Sequence, residues 1–563
     1  MRRSAWSSAL LLLGVVALSG APAVAQHTFD GNIVYGNFPD GCDATEACPG
    51  FSSCSLLRDC FTHNDEVDPQ LGDPYNLNGN PSWVPALTSP AVGLNDDVVE
   101  IVMAEDDCWL GACEYSIPVV CYRGALPPAE WAPQGDWTEG WTYYNYDGTG
   151  RDDIDFEKEI EILEGDYADD LYLTTDYNYL ARGKVNMLEG TTLYIEAGVV
   201  IFGENATAGY IAIERGAQIQ AIGRSDAPII LTSDQEPGYY ERGGWGGLVI
   251  HGRAIANCAD CRNGEDCVSE GGAGNFCGDD DCDDSGTVKY LRIEYSGVEI
   301  SPNNELNCLT MNGLGLGTDI SYVQAHMGSD DLFEWFGGKI ITHHLVGTWG
   351  ADDGFDWQMG FRGGCHHGVI QYYTDAGNRG IEADNNEYDF EAECRSNPTM
   401  ANLTLVGPLG NGGGTSDAGI YLRRGTAATI VNSIIIGWED HGIKFSTDEP
   451  PQCGCNDEPA VACGGPSAVP EPGQISSFMA WAQPNPATTQ TQISFYLTEA
   501  SEAQISMFDA GGRMVDEVLN ATLEPGMHNV PWNVPGDLGT GTYYYRVTTN
   551  QGVATGRVFT LDQ

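Results

Sequence analysis

Apolar positions along this chain come in short runs, with no stretch keeping a helical period. From residue 171 onward, LYLTTDYNYLARGKVNMLEGTTLYIEAGVVIFG, GYIAIERGAQIQAIGRSDAPIILTS and GGWGGLVIHGRA are β-branched and aromatic runs punctuated by glycine. Short, evenly interrupted runs of this kind predict strands. The pattern resumes after a break in TVKYLRIEYSGVEI, LGTDISYVQAHMG, SNPTMANLTLVG, DAGIYLRRGTAATIVNSIIIGW and DHGIKF.

Between residues 328 and 367 the chain nearly repeats itself. Asp330-Asp331 with Glu334-Trp335 returns as Asp352-Asp353 with Asp356-Trp357, and His343-His344 returns as His366-His367. Such a period is too short for a domain, and it predicts successive rungs of a solenoid with like side chains stacked about 5 Å apart. Over residues 166–446 the expected fold is therefore all-β, a right-handed parallel β-helix. Each rung lends its backbone edges to its neighbours, so only the two ends need caps.

The flanks follow a different pattern. Residues 1–25 read as a secretory signal peptide: Arg2-Arg3, an apolar core from Leu10 to Leu18, and Ala23-Val24-Ala25 before the cut. Residues 26–165 form a cysteine-rich region or cap, with Cys42, Cys48, Cys54 and Cys60 at a spacing that suits disulfides better than zinc. Within it, Trp131, Trp137 and Trp141 are either the core of a small cap or a sugar-stacking platform. A disulfide-rich acidic insertion occupies 257–285, a proline- and acid-rich linker 447–474, and a small unit of about seven strands 475–563.

Composition narrows the partners. The 563 residues include 81 acidic and 25 basic side chains, a formal charge of −56, which repels nucleic acid and anionic membranes. Eighteen cysteines in an exported chain point to disulfides in an oxidising compartment. No run after the leader approaches the length of a membrane-spanning helix.

The C-terminal motifs QPNPATTQTQISFYL, FDAGGRMV, LEPGMHNVPWNV and GTGTYYYRV resemble the C-terminal sorting domain of type IX secretion cargo and its relative, the flagellar hook-capping-like immunoglobulin domain. That resemblance implies an immunoglobulin-like sandwich, recognition by the type IX machinery, and a secreted or outer-membrane-surface location. The chain departs from the pattern by ending in RVFTLDQ, without a basic residue close to the terminus. EGTTLYIEAGVVIFG, GGWGGLVIHGRA, the two DD-containing rungs and NRGIEADN resemble secreted bacterial β-helix surface proteins, which implies a fold and a location and carries over no catalytic residue.

The residues that bear chemistry are the stacked acids. Asp330, Asp331, Asp352, Asp353, Glu382 and Asp384 form a candidate calcium set, since calcium takes six to eight oxygens. Turn-capping through backbone N–H groups is the competing role. Asp353, Asp356, Arg362, Arg379 and Glu382 are candidates for catalysis, and Trp335 and Trp357 for stacking on a ligand. Adjacent histidines on a strand are expected to face opposite ways, so one from each pair at most would join a metal site. The function expected is that of a surface-displayed adhesive or glycan-binding protein with extracellular polysaccharide as partner. The alternative is a calcium-dependent polysaccharide lyase or glycoside hydrolase working in a groove of the helix.

Overall fold

A computed structural model describes residues 136–258, 266–301, 304–408 and 416–446, most of 480–560, and short stretches at 26–30, 32–35, 69–74, 82–85, 124–126, 261 and 452–453. The leader, the evenly spaced cysteines of residues 42–60 and Trp131 lie outside these. The chain divides into two units, with the boundary after residue 461.

The larger unit is a right-handed parallel β-helix whose strands form three ladders. One ladder runs through Phe333–Phe336, Phe355–Gln358, Arg379–Ala383, Ala418–Leu422 and His441–Phe445, all parallel. Longer strands such as Ile341–Thr348 and Gly364–Gln371 serve the other two, bending in the middle from one ladder to the next. Alternation along each strand sorts its side chains. Phe333, Phe355, Ile381, Ile420 and Ile443 stack in the interior, and so do Trp335, Trp357, Ala383, Leu422 and Phe445.

The bend recurs in six successive rungs and uses a left-handed residue each time: Tyr290, Tyr322, His344, His367, Asn402 and Asn432 have φ of 48–57°. This conformation costs a non-glycine residue roughly 1–3 kcal/mol. Face-to-face contact between neighbours offsets part of it; Tyr290 stacks on Tyr322 at 4.6 Å and Tyr322 on His344 at 4.5 Å.

Parts of the cysteine-rich N-terminal region belong to the helix itself. Gln26–Asp30 pairs in parallel with Ala428–Val431, and Ile33–Tyr35 with Ile434–Ile436, so residues from both regions share the last rung. Asn32 locks this closure: its amide donates to Ile430 O, and its Oδ1 accepts from the Ser433 N–H. Residues 136–154 then lie against the outside, where Gln324 exchanges hydrogen bonds with the Tyr143 backbone and Arg151 pairs with buried Glu294 at 2.6 Å. Trp141 is buried against Tyr290, and Trp137 packs on His344. Both therefore pack between this segment and the helix. The insertion is disulfide-bonded, Cys258 to Cys267 and Cys261 to Cys277.

The smaller unit has antiparallel sheets of three and four strands around one core that includes Ile493, Phe495, Ile505, Trp532 and Val547. Among the described residues, no helix is long and apolar enough to cross a membrane.

Candidate functional site

The acidic repeat lies on the outer side of the first ladder and in the turn that leads into it. Because Phe333 and Trp335 point inward, Glu334 between them points out, and the register stacks it under Asp356 and then Glu382, Tyr421 and Lys444. Two residues before each inward phenylalanine, Asp331 and Asp353 occupy the turn, and the Asp353 N–H donates to Asp331 Oδ1 at 2.9 Å. Asp331, Glu334, Asp353 and Asp356 are all buried, whereas Asp330 and Asp352 are half-buried.

The carboxylates divide into two halves. At the later rungs they are matched by cations. Arg379 contacts Asp353 at 3.3 Å and also pairs with Glu382; Arg423 bridges Glu382 and Asp384 at 2.5 and 2.8 Å; Arg424 meets Asp384 at 2.8 Å. At the earlier rungs, Asp330, Asp331, Glu334, Asp352 and Asp356 have no ion-pair partner among the described residues. Two unit charges about 5 Å apart at an effective dielectric constant near 20 repel by about 3 kcal/mol. Several such pairs exist here at once.

Burial first, and that crowding second, raise the proton affinity of these acids. Burial, reinforced by Glu270 and Asp352, pushes Asp330 up to about 8. Burial likewise raises Asp331, Glu334, Asp353 and Asp356 well above the carboxylate range, each with further acids adding to the effect. Glu270, from the insertion, hydrogen-bonds Glu334, and Asn307 donates to both. Two oxygens, Asp353 Oδ1 and Asp356 Oδ1, are buried with no hydrogen-bond partner.

Oxygen spacing suits a hard cation. One oxygen from each of Asp330, Asp331 and Asp352 lies within 4.8 Å of the others, and the same holds for Asp331, Asp353 and Asp356. A calcium ion with oxygens at about 2.3–2.6 Å spans opposed ligands up to about 5 Å apart. Asp331 belongs to both groups.

The residues singled out from the sequence are thus partly brought together. Asp330, Asp331, Asp352, Asp353 and Asp356 converge. Glu382 and Asp384 sit one rung on, neutralised by arginine, and so divide from the calcium set. Arg362 is elsewhere, in a buried fork with Asp281 at 2.8 and 2.9 Å. Trp335 and Trp357 are fully buried core residues with no face for a ligand, because alternation turns them inward when their acidic neighbours turn out. Sequence reasoning missed Glu270 and Asn307, which only the folded insertion brings to the cluster.

Residues 165–461, more than half of the chain, match the pectate-lyase-like β-helix domain. The chain belongs to that family. Residues 482–560 match the secretion system C-terminal sorting domain, which directs this β-helix protein to the type IX machinery and to an extracellular or cell-surface location. No curated protein matches the chain. A similar solved structure is the enzymatically active domain of tailspike protein 4 from bacteriophage CBA120, at 9% identity over 68% of this chain and 63% of that one, with a TM-score of 0.22. At that score the likeness carries no argument about the site.

Proposed function

We infer that this family member is a surface-displayed, calcium-dependent glycan-binding protein. The observation that carries the reading is the acidic cluster, in which only Asp353 meets a cation, Arg379, among the described residues, and Asp353 Oδ1 and Asp356 Oδ1 are buried without a hydrogen-bond partner. Calcium there would replace repulsion with ligation, drawing on buried Asp331, Asp353 and Asp356 and on half-buried Asp330 and Asp352. Those two carboxylates leave the ion a solvent side on which sugar hydroxyls or a uronate can complete its shell. A chain of charge −56 needs such a bridge to hold an acidic polysaccharide. The C-terminal unit, with its sheets of three and four strands, supports an immunoglobulin-like sandwich of the hook-capping type as the tether.

A calcium-dependent lyase or a glycoside hydrolase is the second reading, favoured by the family to which residues 165–461 belong. A lyase needs a base to take the proton beside the uronate carboxyl. Arg379 and Arg423, the cations beside the cluster, are both held in ion pairs. A retaining hydrolase needs two carboxyl groups roughly 5–5.5 Å apart facing a bound sugar, and Asp353 and Asp356 are both buried.

The test is retention of the full secreted chain on immobilised uronate-rich and neutral polysaccharides, in calcium and in chelator. Calcium-dependent retention with no new reducing or unsaturated ends supports binding. Release of such ends replaces it with the enzymatic reading, and equal retention in chelator removes calcium from the account.

A further inference from the structure

The sequence pattern predicts that adjacent histidines diverge, and the fold overturns this. His344 and His367 occupy the left-handed corner, with φ of 56° and 57°, and that conformation breaks the alternation of the strand. Each therefore swings toward its preceding neighbour. His343 Nδ1 lies 2.8 Å from His344 Nδ1, and His366 Nδ1 lies 2.8 Å from His367 Nδ1. The rings then stack rung on rung, His343 over His366 and His344 over His367, each at 5.1 Å. Four imidazoles make a two-by-two block on the outside of the helix.

The corner does not require histidine. The same left-handed position is filled by Tyr290 and Tyr322 before the block and by Asn402 and Asn432 after it. The row below His343 and His366 is filled by Lys289 and Ser321, and the row beyond by Ala401. Histidine occupies both positions in just these two adjacent rungs.

We propose that His343 and His344 form a seat for a tetragonal divalent transition ion, copper(II) or nickel(II), separate from the acidic cluster and independent of the glycan-binding reading. Two imidazole nitrogens about 2.0 Å from a square-planar ion, at adjacent corners, are about 2.8 Å apart, whereas a tetrahedral zinc would hold them at about 3.3 Å. The observed 2.8 Å matches the spacing of the tetragonal bite, and the two rings need only turn so that their Nδ1 atoms face a shared ion instead of each other. As the pair stands, one ring donates its Nδ1–H to the other. On binding, that ring takes the Nε2–H tautomer, so both Nδ1 lone pairs face the ion and no net proton need leave. His343 and His344 are half-buried, with Trp137 against His344, and water would fill the remaining equatorial positions; His366 and His367, in the next rung, are buried. Two divalent ions one rung apart would repel, so one ion per chain is expected at the outer pair.

Copper(II) added to the full chain, freed of metal by chelation and dialysis, tests the assignment. Calorimetry should give one site per chain with micromolar or tighter affinity, and the electron paramagnetic resonance spectrum should show coupling to two imidazole nitrogens. The variant His344→Asn keeps the corner, since Asn402 and Asn432 already fill it, and should weaken that site at least tenfold; His343→Ser, copying Ser321, should do the same. Melting temperatures within a few degrees of the parent show that both variants are folded. Absence of a two-nitrogen site in the parent, or an unchanged site in the two folded variants, overturns the proposal and leaves the block as a hydrogen-bonded ladder.

Discussion

The N–H of Asp353 donates to the Oδ1 of Asp331, one rung away, at 2.9 Å. One oxygen of each buried acid is thereby committed differently: Asp331 spends it on the backbone, and Asp353 keeps its own Oδ1 without a partner. The pair is held in place whether or not an ion is bound. Calcium should therefore raise the melting temperature of the full chain, with a chelator reversing the rise. Asp353→Asn should abolish the response, because it removes a carboxylate from the ligating group. A parent melting curve that calcium does not move would end the calcium reading.

Without calcium, stability should fall as pH rises. Asp330 is raised from 3.8 to about 8 by burial and its acidic neighbours, so between those values the folded chain holds a proton that the unfolded chain has lost. Its contribution is present below about pH 4 and disappears through about pH 8. Asp331, Glu334, Asp353 and Asp356 are shifted in the same direction. Melting temperature measured against pH should slope downward in chelator and flatten in calcium, since the ion favours the deprotonated acids.

Arg362 and Asp281 tie the insertion to the helix through side chains that are each 2% exposed. Arg362→Ala leaves a buried carboxylate unpaired and should cost about 3–5 kcal/mol. Denaturant unfolding would measure it. Glycan binding by the fraction still folded should be unchanged, which separates this residue from the site.

Trp357→Ala should cost about 3–5 kcal/mol through the cavity it leaves. Retention on polysaccharide, corrected for folded protein, should stay at the parent level because the ring has no exposed face. A selective loss of retention with stability intact would return the residue to the ligand.

Deleting residues 482–560, the matched sorting domain, should stop the chain inside the outer membrane with the β-helix still folded. Fractionation followed by protease accessibility on whole cells reads the outcome.

The helix was legible because its period is short and its inward rows are simple: Phe333 above Phe355 and Trp335 above Trp357 are visible as a repeat in the linear chain. The acids between them were legible as a stack for the same reason. What lay beyond reach depended on contacts between distant segments or on backbone conformation. Glu270 joins the cluster from the insertion, Arg362 leaves it for Asp281, and a left-handed bend at His344 turns two diverging rings into neighbours. A strand's alternation predicts side-chain direction only while φ stays extended.

Asn32 and Ser433, 401 positions apart, meet in the closing rung. Both ends of the solenoid's chain therefore emerge at one end of the stack. A pull applied between them is carried by that closing rung and its immediate neighbours. The acidic cluster and the histidine block stand earlier in the stack, outside the path of the load. A pull between the acidic cluster and the C-terminal exit would take another path, through the rungs at 379–383, 418–422 and 441–445, so the closing rung would carry that load as well.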